Sequence, residues 1–542
     1  MFEADTLIRD SYSKFKDNVY QIRATEGPRI LIPVRFLPEL KCLPEDTLSA
    51  QEAVHEALLA QYTHFSAGPH SETLSKLLRN NLSQRLSRLT PKLKDELDFI
   101  TAQEFPECDD WTPFNAQPFL VRTVARLSGC AFAGRALSRA ETWMDTTVNY
   151  ATTVFLAAIK LQFFPTWARP AAQYLIPDLY EIPRMVDRAE AMLTPIIEER
   201  LRRRTSNGSG AAGSSTTKLG YYDEKNGKVG EDDKGDDDDF LQWLLDALPE
   251  DQKTRFDVQA HLQLILSAAS IHTTSNLVTD CVYDLAEHQE LQDILRQEAA
   301  EVLELGGEGK KSDGEAGEQI GCQEEKSGWF AKDGLALARL RKLDSFMRES
   351  QRLHGNVTSF IRKVMRPIDL SDGTHLPAGA SLLAPLAGVS RDDRFYPDAE
   401  TFDGLRFWRL QQAQEQERER ERELLQARYG NVANSNSNNN NNNSNNYNNS
   451  SQWQFTSIGD TNTSFGLGRH ACPGRFFAAA EAKMILAHLL LRYDIKLKEG
   501  EGRPRPMMFM MTKCPSPSAE ILFKRRKGND QTMARAMKPK IN

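Results

Sequence analysis

The stretch FGLGRHACPGRFF, Phe465–Phe477, sets three glycines around one cysteine and then opens a long apolar helical pattern. Gly466, Gly468 and Gly474 permit a turn with close backbone approach, and the periodic run from Phe476 places Cys472 at a helix N-terminus. Exposed N–H groups and the helix dipole at such a place favour a thiolate over a thiol, which suits Cys472 as an axial metal ligand. On this loop alone two other readings stand. Cys472 is a small residue of the kind cores often bury, and with His470 it is half of a zinc site that no nearby second pair completes.

The 542 residues exceed the usual domain range of roughly 100–200, so the chain is two domains or one unusually large one. Its formal net charge of −7, from 68 basic and 75 acidic residues, carries no nucleic-acid footprint, which would need clustered basic residues and a high isoelectric point. The seven cysteines are scattered without a CxxC pair, as in a reduced compartment with at most one thiol doing chemistry. The first twenty residues carry charge throughout and lack a signal-peptide or membrane-spanning core, so the chain reads as unanchored there. The apolar stretch Ala151–Phe164 contains Lys160 and stops at Pro165, which fits a buried or membrane-grazing helix better than a span.

Three segments read as surface insertions: 205–239, Gly/Ser-rich and then acidic; 306–327, rich in Gly, Glu and Lys; and 411–451, a charged run followed by an asparagine tract. Such compositions do not support a core and are expected as mobile loops. A short basic tail covers 526–542. Elsewhere the periodicity predicts helices at Ala53–Tyr62, Pro118–Cys130, Arg184–Arg204, Phe256–Leu285, Leu337–Leu353 and Phe476–Tyr493. Phe256–Leu285 holds no Gly or Pro and would reach about 45 Å, enough to cross a domain. Short strands are expected at Arg29–Val34, Phe360–Met365, Ser381–Leu386, Asp494–Glu499 and Ala519–Lys524. The fold class is therefore mainly α with small β-sheets, α+β.

Further motifs lie upstream. Glu349 and Arg352 stand at i and i+3, one above the other on the face of a predicted helix; alone, such a pair is most often a solvated ion pair of little energetic weight. FDGLRF supplies Arg406, and AASIHTTS (Ala268–Ser275) places His272, Thr273 and Thr274 on the long helix. Alone, that last stretch reads as a buried helix with local Ser/Thr back-bonding.

Together these motifs resemble the cytochrome P-450 monooxygenases. Phe465, Gly468, Cys472 and Gly474 match the signature F-x-x-G-x-R-x-C-x-G, with His470 in place of its arginine; E-x-x-R and the second arginine motif follow the family's order. The resemblance implies one cytochrome P-450 domain over 1–542, with a long central helix crossing the core. It implies a haem whose proximal iron ligand is the Cys472 thiolate, favouring O–O cleavage, and a Glu349–Arg352–Arg406 network behind it. Arg362 and His470 are then partners for the haem propionates. On the distal side Thr273 is the proton-relay candidate, with Thr274 at the next hydroxyl position. His272, standing where the family has an acid, is a second relay or a satisfied core histidine, and Ser270 replaces the family's flexible glycine.

The resemblance further implies a hydrophobic small-molecule substrate, dioxygen, NADPH-cytochrome P-450 reductase as electron donor with cytochrome b5 as a further candidate, and no nucleic acid. Substrate contacts are expected at Leu264–Thr273, Asn356–Phe360 and Phe509–Cys514. IHTTS with GRHACPGRFFA is most similar to fungal members that oxidise terpenoids and other secondary metabolites. Family members sit on the cytoplasmic face of the endoplasmic reticulum, so peripheral membrane contact is expected; a cytosolic form is the alternative. Two other functions stay open at this level: a haem-thiolate isomerase or dehydratase that does not use dioxygen, and a non-catalytic haem-binding paralogue.

Overall fold

The helix Phe256–Glu287 runs without a break because no Gly or Pro interrupts it, and it is buried on several faces along its length. Four further helices pack along it: Ala116–Ala133, Glu141–Gln162, Pro177–Asn207 and Arg475–Arg492. Arg341–His354 closes the bundle near its C-terminal end, and Gln263 Nε2 donates to Phe132 O at 3.3 Å across one of these interfaces. This computed structural model describes residues 4–24, 27–207, 222–223, 228–229, 238–303, 336–429, 452–509 and 511–527.

A five-stranded sheet lies beside the helices. Its strands are β1 (Tyr20–Ala24), β2 (Gly27–Leu31), β3 (Leu48–Ser49), β4 (Ser359–Val364) and β5 (Ser381–Ala384), in the order β1-β2-β5-β4-β3. Only the β2–β5 pair is parallel. Ile32, Phe36, Leu382 and Leu467 share one buried cluster, which ties the sheet to the cysteine loop. A smaller sheet joins Tyr493–Lys496, Ile521–Arg525 and Thr112–Phe114. The helix-dominated α+β class and the crossing helix are as the sequence implies.

Several details differ from expectation. The run Leu337–Leu353 is two helices, Ala336–Arg339 and Arg341–His354, broken at Leu340. Pro177–Asn207 starts before Pro183, ahead of the expected start at Arg184, and continues through Pro195 as the expected run does; packing of its Ile182, Met192 and Ile196 in a buried cluster overrides the proline at the start. The helix Leu86–Glu104, which contains Pro91, had no counterpart in the periodicity.

The insertion boundaries also shift. Asp239, read as part of a solvated acidic run, is buried, caps the helix Phe240–Ala247 through Gln242 N, and holds Arg200 by a two-point contact at 2.7 and 2.6 Å. Two-point pairing is what lets these charges leave water. In the third segment the charged half is helical, Arg406–Tyr429, as its strong helix formers with alternating sign allow. Segment 306–327, most of 208–237, the asparagine tract and the tail beyond residue 527 lie outside the described residues.

Candidate active site

Cys472 follows the short turn Gly468–His470 and precedes the helix Arg475–Arg492, so the loop hands the chain from sheet side to bundle. Its N–H donates to Phe465 O at 2.7 Å, closing the loop upon itself, and the Phe465 ring stands edge-on to Phe455. Gly468 has φ +66°, and a Cβ there would come within 2.4 Å of Lys41 O. No other residue fits. Gly474 is used differently: its φ is −90°, and a Cβ on it would meet nothing within 4 Å. It leaves open space beside the cysteine.

Burial pushes the Cys472 thiol up from its ordinary value, opposed by the N–H groups of Gly474 and Arg475 and by the Arg475 guanidinium. The helix start therefore softens the cost of a thiolate without cancelling it. A cation bound at sulfur is what would complete the ionisation.

Arg362 and His470 come together on the sheet side of this loop. Arg362, on β4, is buried; its Nη1 donates to Ile361 O at 2.8 Å, and its Nη2 has no hydrogen-bond partner among the described residues. Burial pushes this guanidinium down to about 10, with Glu45 opposing. His470 Nε2 lies 2.8 Å from Glu45 Oε1, yet burial and the neighbouring Arg362 hold the imidazole below its usual range, with Glu45 opposing. A buried donor without a partner is costly, and a carboxylate-bearing ligand would relieve it.

On the long helix, Ala269 and Thr273 are exposed although Ala268, Ile271 and Thr274 beside them are buried, so this face borders an opening. Thr273 Oγ1 donates to Ala269 O at 2.9 Å and lies 3.2 Å from Ser270 O, leaving its lone pairs free. Thr274 faces the core. His272 turns the other way: Nε2 is 2.9 Å from Val148 O in the helix Glu141–Gln162, and burial lowers its pKa. Of the two roles open to His272, this geometry is that of the satisfied core histidine.

Glu349, Arg352 and Arg406 form the expected network, buried rather than solvated. Arg352 grips Glu349 at 2.8 and 2.7 Å, and Arg406 Nε reaches Glu349 Oε1 at 3.1 Å. The remaining donors hold the carbonyls of Ala399 and Thr401, and Asp403 N donates to Glu349 at 3.0 Å. The network therefore fastens the loop 390–406 and has no free donor to offer a ligand.

Two residues near this site escaped the sequence reading. Glu481, on the helix Arg475–Arg492, has no solvent exposure and is bonded to Ser128 of Ala116–Ala133. A signal was present: Phe477, Met484 and Ile485 at i−4, i+3 and i+4 put Glu481 on the apolar face of its helix.

The residues fit a haem: a sulfur awaiting a cation, open space over Gly474 and beside Ala269 and Thr273, and a buried guanidinium lacking an anion. Comparison with known proteins agrees. Residues 63–424 and 439–523 match the family model described as Cytochrome P450. The chain is 30% identical over 521 residues to the cytochrome P450 monooxygenase AN1598 of Emericella nidulans, covering 96% of this chain and 83% of that one. It is 28% identical to an ent-kaurene oxidase of Gibberella intermedia, covering 98% and 85%. Among solved structures, retinoic acid bound cyanobacterial CYP120A1 shares the fold, with a TM-score of 0.60 at 16% identity over 97% of this chain and 96% of that one. From its cysteine loop to its crossing helix, the chain belongs to the cytochrome P450 family.

Proposed function

We propose that this haem-thiolate monooxygenase oxidises an apolar, terpenoid-like small molecule, with Cys472 as the iron ligand and Thr273 as the distal proton-handling group. The observation that carries the reading is the pairing of a loop-fixed Cys472 with an opening lined by Ala269 and Thr273. Haem iron, when bound through sulfur, supplies the activation of dioxygen. Arg362, with an unpartnered Nη2, and His470 beside it would hold the haem carboxylates. Thr273 holds and passes a proton at Oγ1. Ala269, lacking a large side chain, keeps the opening clear.

The substrate class rests on two supports. Leu264 and Ala268 of the long helix belong to a buried apolar cluster, and Val357, just before β4, and Phe360, near its start, are buried too. Several relatives are ent-kaurene oxidases. The electron donor we propose is NADPH-cytochrome P-450 reductase, approaching the exposed Arg469 and the half-buried Arg475 beside Cys472. Cytochrome b5 is a second donor of the same kind.

Among the described residues no helix is long and apolar enough to cross a membrane. Phe163, Trp167, Tyr174 and Leu175, between 67% and 83% exposed, cluster on the connection after Glu141–Gln162. This favours peripheral seating on a bilayer, at the endoplasmic reticulum by family analogy.

The test is a reduced, carbon-monoxide difference spectrum of wild type and Cys472→Ala, with NADPH- and dioxygen-dependent conversion of ent-kaurene as a first probe. Loss of the thiolate-type Soret band in the variant is expected. An unchanged band, or product formed without dioxygen, would overturn the proposal.

A further inference from the structure

One stripe of the long helix carries Ala269, Thr273, Asn276, Asp280 and Asp284, at i, i+4, i+7, i+11 and i+15. Its first half borders the opening, and its second half holds the chain around an antiparallel pair of strands, Met507–Phe509 and Thr512–Cys514. Arg503, ahead of the pair, donates from Nε to Asp284 Oδ1 at 2.5 Å and from Nη2 to Asp280 Oδ1 at 2.8 Å. Behind the pair, the Tyr283 hydroxyl donates to Ser516 O at 2.9 Å. Between these anchors Asn276 Nδ2 lies 3.8 Å from Cys514 Sγ, and Asn276 stands one turn from Thr273, about 4.5 Å along the axis. The strands therefore run beside the opening.

An isolated pair of strands is marginal in water, so outside contacts set where this one lies. Met508 and Met511 pack on the cluster that holds Ile8, Leu31 and Leu383, but methionine packing adapts to small displacements. Lys513 Nζ reaches Asp5 Oδ1 at 2.9 Å on the helix Ala4–Phe15. The Arg503 contact is the more demanding one, because a planar guanidinium held by two carboxylates at two nitrogens fixes direction as well as distance. Both acids are buried. Burial raises Asp284, yet Arg503 and His354, whose Nε2 is 3.2 Å away, bring it down to about 2. Asp280 is pushed up to about 6 by burial, with Arg503 opposing. Asp284 is thus the firmer anchor.

We propose that Arg503, clasped by Asp284 and Asp280, is a positioning residue that fixes the strand pair beside Thr273 and thereby selects which carbon of the substrate is oxidised. Arg503 acts through the strands it holds. Without the clasp, the strand Met507–Phe509 keeps only adaptable packing on its leading side, and the wall of the opening moves relative to Thr273. A misplacement of about 1 Å can cost roughly 100-fold in rate at the correct position. The inference rests on the monooxygenase reading above.

The test has two arms on the full-length, haem-loaded protein. In the first, alkylation of each cysteine by iodoacetamide is followed by mass spectrometry. Loss of the charge-assisted anchor should speed labelling of Cys514 in Arg503→Gln by about 10–100-fold, with the buried Cys108 and Cys130 unchanged. Asp284→Asn should match it, and Asp280→Asn and Arg503→Lys should fall between these and wild type. In the second arm, reductase, NADPH and ent-kaurene as probe are supplied, and products are counted per loaded haem. The wild-type positional product should fall about tenfold or more in Arg503→Gln, with oxidation appearing at other carbons. A merely structural role would lower haem content and leave the position unchanged. Where NADPH is oxidised but ent-kaurene is not converted, the stretching band of bound carbon monoxide replaces the product readout, and a second, displaced band is expected in the variant. Should Arg503→Gln take up no haem, judged by its carbon-monoxide spectrum, Asp280→Asn carries both arms. Labelling of Cys514 that does not move overturns the clasp. Faster labelling with an unchanged product position, or with an unchanged carbon-monoxide band, overturns the selecting role. A wild type that oxidises no NADPH overturns the monooxygenase reading, while the labelling arm still decides the clasp.

Discussion

The imidazole of His272 is held 2.9 Å from the carbonyl oxygen of Val148, a residue 124 positions away on a neighbouring helix. That bond stitches the helix Glu141–Gln162 to the long helix and points the ring away from the opening that Thr273 borders. Replacing His272 by Leu should therefore act on stability rather than on turnover. Losing this interhelical hydrogen bond, while the Val148 carbonyl keeps its helical donor, costs about 0.5–1.5 kcal/mol, read as a lower denaturant midpoint. Product formed per NADPH should stay within twofold of wild type. A collapse in that ratio with normal stability would return His272 to the relay.

Thr273→Ala removes the one hydroxyl of the HTTS segment that is exposed at the opening. General acid–base groups contribute typically 10²–10⁴-fold, so product formation should fall at least 100-fold while NADPH oxidation continues as peroxide release. Thr273→Ser, which keeps the hydroxyl, should recover most of the loss. Thr274→Val, at a core-facing position, should leave coupling unchanged.

These contrasts mark what the sequence could and could not convey. The pairing of Glu349 with Arg352 was legible because i and i+3 share a helix face, whereas its burial contradicts what the pair alone suggested, and the part assigned to Cys472 came from the family resemblance and not from spacing. The direction of His272 was not legible, because its partner belongs to another helix and no local pattern encodes that meeting. Asp239 misled for a related reason: an acid in a charged run reads as solvated until Arg200, 39 residues away, is seen to neutralise it. Pro183 hid the true start of its helix, because local propensity yields to the apolar face that the helix buries.

Glu349→Gln should damage folding before chemistry. It removes the negative charge held between the buried Arg352 and Arg406, and breaking a buried pair on one side costs about 3–5 kcal/mol. The expected outcome is protein that is poorly loaded with haem and melts well below wild type. Arg352→Lys should be nearly as harmful, because a single ammonium cannot reproduce the two contacts to Glu349.

Arg362→Ala should weaken haem retention without disturbing the thiolate signature of what remains bound. A charge-assisted hydrogen bond contributes about 1.5–3 kcal/mol, so haem transfer to excess apomyoglobin should speed up by roughly 10–100-fold. Arg362→Lys should fall between the two. If haem loss were unchanged, the unpartnered Nη2 would have to serve something other than a carboxylate.

Glu481 adds a pH dependence whose sign can be worked out. Its folded-state pKa is raised from 4.5 to about 8, so the folded protein keeps a proton that the unfolded chain releases. The stabilising contribution is complete below 4.5, declines as pH climbs through the window between the two values, and is gone above about 8. Glu481→Gln keeps a neutral side chain throughout and lacks this decline. Denaturant titrations of both proteins at successive pH values should show wild type losing ground to the variant by at most about 1.4 kcal/mol per pH unit inside that window, and by nothing further above it. The subtraction removes every other titrating group the two proteins share. A difference that stays flat from pH 5 to pH 8 would mean the carboxyl is ionised when folded and that burial does not hold its proton.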